Sequence, residues 1–369
     1  MHVLMIFNKA ENLGDLNQCR AVAELLSTEF PGASGGHEVT VISLKARPRT
    51  RFLFSAFRRM GFWRMIGPVG IRGTIFYHFF RSSSQKIEKP DIIVARLPSS
   101  EHAAVALKTW FQVPAVLVGR ARLLSDLDFD AVITTDEDPS ASNAIILETV
   151  PTQVTLKPKT RFESLPKVEQ VTGTQRDLWC LLVGGGSAPY PFSERDYHAW
   201  VTFMEQAHQK LGIRWLVSTS RRTSLQAEEF LRTALGGTST VFEATWWHDK
   251  PRKSLRNYIE RASVCVVTAE SESMLSDCIS FSKPVIAVRP DDGPSGSLSE
   301  TELWHQERIE RFLSKAESRR RAWVCHSSEL EGRLIAGRSI ESIVTLDPGE
   351  RWDRVVKREL ANRGIVQKG

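Results

Sequence analysis

Short apolar runs alternate with longer amphipathic stretches along most of this chain. Each run is about four to seven residues long and apolar on both faces, which is typical of parallel strands covered by helices on both sides. The runs lie at residues 3–7, 38–44, 91–95, 115–118 and 131–134 in the first half, and at 178–183, 213–219, 239–243, 264–268 and 284–288 in the second. This alternation predicts an α/β protein with two doubly wound parallel sheets.

The stretch between the two halves is polar, contains Pro158 and Pro166, and shows little periodicity, as an interdomain linker would. The predicted divisions are an N-terminal domain, a linker, a C-terminal domain and a helical tail, at 1–155, 156–177, 178–345 and 346–369. The charged region from Ser299 onward is predicted to be helical, with a last helix at 350–363. The residues of this region predicted to face inward are Trp304, Ile309, Phe312 and Leu313.

Overall composition is that of an ordinary soluble globular protein, with 41% hydrophobic and 25% charged residues in 369. No signal peptide or membrane-spanning run is evident, so we expect a cytoplasmic protein. The five cysteines form no C-x-x-C pair and are predicted to be reduced thiols. Asp128 and Asp130 precede a strand instead of ending one, and we predict no metal site.

Positive charge is concentrated in one segment, residues 45–86, which contains no acidic residue. Arginines alternate there with Phe, Trp and Met, a composition typical of a segment that lies on an anionic membrane. The predicted membrane-binding residues are Arg51, Phe54, Arg58, Arg59, Phe62, Trp63 and Arg64. Two alternatives are a nucleic-acid surface, for which no recognition motif is found, and a helical layer with solvated arginines. Peripheral association with the inner membrane face is the favoured interpretation, with no nucleic-acid partner.

The apolar run at 178–183 leads directly into Gly184, Gly185, Gly186 and Ser187. Consecutive glycines let the backbone turn tightly and approach a ligand closely, so this loop is predicted to bind phosphate. Its sequence matches neither the G-x-G-x-x-G fingerprint nor the Walker lysine loop, which argues against a dehydrogenase or an ATPase. The alternative is an ordinary strand-to-helix turn.

A second predicted phosphate site follows the run at 264–268, where Ser271 and Ser273 open a helix. The N–H groups and positive dipole end at a helix start favour an anion. Further candidates for donor binding are Ser220, Arg221, Arg222, Trp247, Met274 and Asp277. Each has an ordinary structural alternative: a solvated helix start for the arginines, a surface position for Asp277 and simple packing for Trp247. Two such loops on one sheet favour a nucleotide diphosphate, with no cofactor beyond that substrate.

Six motifs together resemble the mitochondrial-fission-factor-like family, named for the plant elongated-mitochondria protein and related to GT-B glycosyltransferases. They are GDLNQ at 14–18, KPDIIVA at 89–95, FDAVIT at 129–134, LVGGG at 182–186, LVSTSRRT at 216–223 and VVTAESESMLSD at 266–277. The resemblance covers about residues 1–290. The family usually has Asp-Ser-x-Ser where this chain has Glu270-Ser-Glu-Ser273.

The resemblance implies a GT-B-like fold, two Rossmann-like doubly wound domains facing across a cleft, with a nucleotide sugar held by the second. It is similar in layout to the enzyme that adds N-acetylglucosamine to a lipid-linked peptidoglycan precursor, which docks on membranes through a basic, apolar patch. An inverting transfer needs a base to deprotonate the acceptor hydroxyl. We predict Asp15 in this role, with Glu11 second and His78 third.

The leading hypothesis is therefore an inverting, metal-independent glycosyltransferase that acts on a lipid-linked or envelope glycan acceptor at the cytoplasmic membrane face. The alternative is a non-catalytic membrane-associated scaffold on the same fold, because plant members of the family are discussed as fission factors. A third hypothesis, a sugar-nucleotide epimerase, predicts paired carboxylates and a histidine at the donor site. Glu270, Glu272 and His248 would supply these groups.

Overall fold

The computed structural model describes residues 1–8, 13–30, 38–44, 88–96, 98–122, 124–137, 142–152, 177–186, 189–250, 255–293, 297–335 and 350–367. The chain forms two compact units. The first consists of Met1–Leu156 together with Glu350–Gly369, and the second of Lys157–Gly349. The predicted C-terminal tail thus contributes its last helix to the first unit.

The first unit contains a sheet of six parallel strands in the order β2-β1-β3-β4-β5-β6. Its elements are β1 (His2–Asn8), α1 (Leu13–Glu29), β2 (Glu38–Leu44), β3 (Ile92–Ala95), α2 (Pro98–Phe111), β4 (Ala115–Val118), β5 (Ala131–Thr134), β6 (Ala144–Ile146) and α9 (Trp352–Asn362). Strand order reverses direction between β1 and β3, which are hydrogen-bonded neighbours. Open sheets of this kind bind ligands at the carboxyl ends of the strands beside such a reversal.

The central strands of the first sheet are buried on both faces, which explains why their runs are apolar. Val3 and Met5 pack on one face with α1 and α9, where Trp352 lies in the same core cluster. Leu4 and Ile6 pack on the other face with α2. Successive strand residues point to opposite faces, so each of these strands needs an apolar residue at every position.

The second unit contains six parallel strands in the order β12-β11-β10-β7-β8-β9. Its elements are β7 (Leu178–Val183), α3 (Glu194–Leu211), β8 (Arg214–Thr219), α4 (Leu225–Leu235), β9 (Val241–Thr245), α5 (Leu255–Arg261), β10 (Val264–Thr268), α6 (Glu272–Ser280), β11 (Val285–Arg289), α7 (Glu300–Ser318), β12 (Ala322–His326) and α8 (Glu329–Ile335). Read from β9, this is the classical doubly wound order, with its reversal between β7 and β10.

Two strands were missing from the sequence prediction. β6 is three residues long, and β12 lies in the region after Ser299 that was predicted to be wholly helical. The prediction for β12 was wrong: residues 322–325 form a buried apolar run as short as that of β4, but the run directly follows the charged end of α7 and was included in the helical region. Trp304 was also placed wrongly: it is exposed, whereas Ile309, Phe312 and Leu313 are buried as predicted.

No helix among the described residues has the length and apolar character needed to cross a bilayer. The basic segment 45–86 and its seven predicted membrane-binding residues lie outside the described residues, so their role stays a prediction.

Candidate functional site

Three loops meet at the carboxyl ends of β7, β8 and β10, beside the reversal of strand order in the second unit. The N–H of Gly184 donates to Thr268 Oγ1 at 2.8 Å, which ties the loop after β7 to the end of β10. Ser220, after β8, donates its hydroxyl to the Gly184 carbonyl. Thr223 donates to the Val183 carbonyl at 3.0 Å. The structure therefore brings together the glycine loop, the strand end at 218–223 and the start of α6, as the predicted donor site requires.

Two glycines of the loop leave no room for a side chain. Gly185 has φ of +123°, and a Cβ there would lie 2.2 Å from the backbone carbonyl of Arg222. A Cβ on Gly184 would lie 2.1 Å from Oε1 of Glu270. The backbone thus packs against both neighbouring loops while Gly186 stays exposed. Ser187, predicted to complete the loop, lies outside the described residues.

Positive charge and hydroxyl groups lie together at the start of α6. Arg222 is exposed, and its Nη2 donates to Ser271 Oγ at 3.2 Å. Ser271 is the N-cap of α6 and is buried, whereas Ser273 and Met274 in its first turn are half-buried. Arg221 is exposed beside Arg222. This combination of a guanidinium, a hydroxyl and a helix start can bind a phosphate.

Asp277 lies one turn further along α6 and is half-buried. Burial raises the pKa of its carboxyl group to about 7, although the nearby Arg256 acts in the opposite direction. A half-buried carboxylate with part of its surface accessible can accept hydrogen bonds from a diol, as the predicted contact with ribose requires.

Glu270 lies directly beneath the glycine loop and is 4% exposed. Thr268 Oγ1 donates to its Oε1 at 3.1 Å, while its Oε2 is buried without a hydrogen-bond partner among the described residues. Burial raises the pKa of Glu270 to about 7, against the opposing effects of Arg222 and of hydrogen bonds from Thr268 and Gly185. The sequence interpretation considered Glu270 only for the epimerase hypothesis.

Glu228 was not identified from the sequence, yet it fixes the loop that carries Trp247. This buried carboxylate accepts hydrogen bonds from Thr219 Oγ1 and from the N–H groups of Trp247 and His248, at 2.6, 3.0 and 3.1 Å. Its position within α4 gave no signal because these partners lie up to 20 residues away in sequence. Through it, Trp247 is held beside the end of β8, half-buried, where a nucleobase can stack on it.

Replacing Glu228 by glutamine is expected to lower the free energy of unfolding at pH 7 by about 1–3 kcal/mol, because the amide cannot satisfy all of these donors. Burial alone would raise the pKa of Glu228, but the hydrogen bonds from Thr219 and His248 outweigh it and lower the pKa below 4.5. A lowered carboxyl pKa stabilises the fold above the unfolded-state pKa, and this stabilisation is lost as pH falls through the folded-state value. The free energies of unfolding of the two proteins, measured by urea titration between pH 3 and pH 7, should therefore become equal at acid pH. A constant difference at every pH would contradict the assignment.

In the first unit, Asp15 lies in the first turn of α1, near the reversal of strand order in that sheet. Arg96, immediately after β3, donates from Nε and Nη2 to Asp15 Oδ1 at 3.0 and 2.6 Å. Arg96 also donates to the Val118 carbonyl at 3.1 Å. The sequence interpretation missed Arg96, although the KPDIIVA motif ends one residue before it. Glu11 and His78, the other candidate bases, lie outside the described residues.

The histidine and one carboxylate of the epimerase hypothesis are engaged elsewhere. His248 forms an ion pair with Glu228 at 3.2 Å if protonated. Glu272 forms an ion pair with Arg308 of α7 at 2.8 Å. Only Glu270 of the three lies against the glycine loop.

A wide concavity of about 700 Å³ lies elsewhere on the second unit, lined by residues that include Glu205, His208 and Thr240. These residues are near the end of α3 and the start of β9, which places the concavity at the amino ends of the strands. Ligands of doubly wound sheets bind at the opposite edge, so the concavity is separate from the candidate site.

Comparisons with solved structures show similarity over both units. A protein of Listeria monocytogenes assigned as a UDP-N-acetylglucosamine 2-epimerase is 12% identical, with 98% of this chain and 96% of that chain covered and a TM-score of 0.54. MnaA of S. aureus, in complex with UDP, is 10% identical, with 100% and 98% covered and a TM-score of 0.50. MurG of Acinetobacter baumannii is 13% identical, with 100% and 99% covered and a TM-score of 0.47. No curated protein sequence matches the chain.

At such identities the similarity concerns the fold alone, and it confirms the predicted GT-B-like class with two Rossmann-like doubly wound domains. The family model described as mitochondrial fission ELM1 matches residues 14–327, which include the strands and loops of the candidate site. Because this match spans far more than half of the sequence, the chain belongs to the mitochondrial fission ELM1 family.

Proposed function

We propose that the protein is a glycosyltransferase whose second unit binds a nucleotide sugar. One observation carries this proposal: the glycine loop, Arg222 and the start of α6 meet at the carboxyl ends of adjacent strands, joined by the hydrogen bonds of Gly184 and Ser271. In doubly wound sheets this edge, beside the reversal of strand order, is where ligands bind. The binding of UDP by the similar MnaA supports a nucleoside diphosphate as the occupant.

Each part of such a donor has a matching group in the described residues. The close approach allowed by the glycine loop, together with Arg222, Ser271 and the amides at the start of α6, suits the diphosphate. Ser220, Arg221, Ser273 and Met274 lie around them. Asp277 suits the ribose hydroxyls, and Trp247 suits the base. Negative charge accumulates on the diphosphate as the glycosidic bond breaks, so donors fixed in position around it stabilise the transition state more than the ground state. This arrangement supports transfer without a metal ion.

The acceptor side of the proposal rests on the first unit and on the basic segment 45–86. Asp15 would deprotonate the acceptor hydroxyl and invert the anomeric configuration. An acceptor that is lipid-linked or part of an envelope glycan suits the basic aromatic segment, which would hold the protein on the anionic inner face of a membrane. The ELM1 family membership also keeps the scaffold alternative open, in which the same segment binds membrane without catalysis.

Thermal denaturation in the presence of nucleotides tests the donor site directly. We expect one of UDP, GDP, ADP, CMP and TDP to raise the midpoint with or without magnesium, because a ligand at 100 times its dissociation constant adds about 2.7 kcal/mol to the free energy of unfolding. Arg222→Met should lose most of the shift. Arg261→Met should keep the shift. Arg261, at the end of α5, pairs with Glu243 of β9 and is remote from the three loops.

The absence of a shift with every nucleotide, while the protein unfolds cooperatively, would overturn the proposal and favour the scaffold. Binding to liposomes of anionic and neutral lipids, with and without the substitutions Arg58→Ser and Arg59→Ser, is then the next measurement. A shift that Arg222→Met leaves unchanged would place the nucleotide outside the three loops.

A further inference from the structure

We propose that Glu270 is a proton-bearing carboxyl group beneath the diphosphate site, neutral when a nucleotide diphosphate binds above it. Binding of the diphosphate then takes up a proton from solution, and affinity falls as pH rises. The inference rests on the proposed function, because it assumes that the three loops hold a diphosphate, and it adds how binding there is regulated.

The position of Glu270 carries the first step. The residue lies two positions after β10 and precedes Ser271, the N-cap of α6, so it occupies the point where the two predicted phosphate loops touch. Its Oε1 lies so close to the Gly184 backbone that a Cβ there would be 2.1 Å away. The carboxyl group is therefore part of the floor under the glycine loop.

The second step concerns hydrogen bonds. Oε1 accepts from Thr268 Oγ1, whereas Oε2 is buried and has no partner among the described residues. A buried carboxylate oxygen without a hydrogen-bond partner disfavours the charged form of the group, so this environment favours a proton on Glu270. A proton on Oε2 would remove an uncompensated negative charge from beneath the loop that receives the anion.

The third step concerns charge. Arg222 faces Glu270 from the loop after β8, and Tyr190 and Tyr197 are close enough that Glu270 helps to raise their pKa values. In the first turn of α6, the charge of Glu272 is balanced by Arg308. Arg222 is thus the positive group that faces the carboxylate, and it is also the cation that would pair with the diphosphate. A charged Glu270 would compete for Arg222 and repel the ligand.

These steps fix the direction of the pH effect. Burial holds the pKa of Glu270 at about 7 in the unliganded protein, so the carboxyl group is partly protonated at neutral pH. A bound diphosphate favours the neutral form and raises this pKa further, which means that the complex binds more protons than the free protein. The dissociation constant should therefore be constant well below pH 7 and rise towards about tenfold per pH unit above it.

Calorimetry tests the proposal on the full chain with UDP-GlcNAc, GDP-mannose and ADP-glucose, whose diphosphate diesters keep a constant charge between pH 6 and pH 9. Titrations at each pH, in two buffers of different ionisation enthalpy, measure both the dissociation constant and the protons taken up. We expect proton uptake of up to one per ligand above pH 7. This measurement on the unaltered protein needs no variant.

Glu270→Gln keeps the shape of the neutral carboxyl group and should lose the fall in affinity above pH 7 that Glu270 causes. Its affinity is compared with that of the unaltered protein at each pH, because Asp277, with a pKa of about 7, titrates in the same range. Glu243→Gln, a matched change on β9 outside the site, should retain the full pH dependence. An unaltered protein that binds a donor with no pH dependence overturns the role of Glu270 and leaves the proposed function standing. If the dissociation constants of Glu270→Gln and of the unaltered protein change equally with pH, the role of Glu270 is likewise overturned and the proposed function stands. No binding of any of the three ligands at pH 6 overturns both proposals.

Discussion

Gly185→Ala is expected to abolish nucleotide binding and to lower the free energy of unfolding by at least about 2 kcal/mol. Gly185 has φ of +123°, a conformation that L-residues rarely adopt, and a Cβ would lie 2.2 Å from the Arg222 backbone. Relief of this contact requires the loop after β8 to move away, and Arg222 moves with it. The substitution therefore disrupts the glycine loop and the cation beside it together.

Gly212→Ala is the matched control for this experiment. Gly212 also has a positive φ, +70° at the end of α3, but a Cβ there meets nothing within 4 Å. It should cost about 1 kcal/mol from backbone strain alone and leave nucleotide binding intact. Urea denaturation and the nucleotide thermal shift measure the two effects separately. Normal nucleotide binding by Gly185→Ala would show that the loop does not contact the ligand.

The strands were predicted well because burial leaves a direct trace in the sequence. β2, β7 and β10 begin and end where the predicted runs do. β7 and β10 are also buried on both faces, so they tolerate few polar residues. β12 shows the limit of this reasoning. Residues 322–325 form a buried apolar run, but so short a run within a charged region does not distinguish a strand from part of a helix.

The candidate site shows the same limit at the level of single side chains. Ser220, Arg222 and Ser271 were found because each follows an apolar run, and parallel strands bring their carboxyl ends to one edge. Glu228 and Arg96 were missed because their roles depend on partners distant in sequence, such as His248 for Glu228 and Asp15 for Arg96. Sequence pattern locates the edge of the sheet, whereas tertiary contacts decide which charged groups hold its loops.

The same contacts explain how the glycine loop of the second unit keeps its conformation. A loop built from glycines has no side chains with which to fix its own conformation, so its shape is set by what it packs against. Thr268 and Glu270 support it from β10, and Ser220 and Thr223 support it from β8. The loop therefore keeps its conformation because neighbouring elements hold its backbone.

Asp15→Asn is expected to reduce turnover by about 10²–10⁴-fold while leaving the dissociation constant for the nucleotide sugar unchanged, because it removes the proposed general base. Both hydrogen bonds from Arg96 go to Asp15 Oδ1, an oxygen that asparagine retains, so the fold around α1 should be preserved. The rate is measured as release of nucleoside diphosphate from the donor in the presence of membrane lipids. Asp126→Asn is the control, because Asp126 forms a comparable ion pair with Arg120 at 2.6 Å in the same unit.

The outcomes separate a catalytic Asp15 from a structural one. If Asp15 is the base, Asp15→Asn removes the acidic limb of the pH–rate profile. Asp15→Glu should then restore part of the rate. A purely structural pair predicts a different result: Asp15→Asn and Arg96→Met would lower the unfolding midpoint together, and the pH profile of the remaining activity would be unchanged. Full turnover by Asp15→Asn would place the base elsewhere, with Glu11 the next residue to replace. Arg96 already donates two hydrogen bonds to one carboxylate oxygen, so a catalytic Asp15 must accept the substrate proton on its other oxygen.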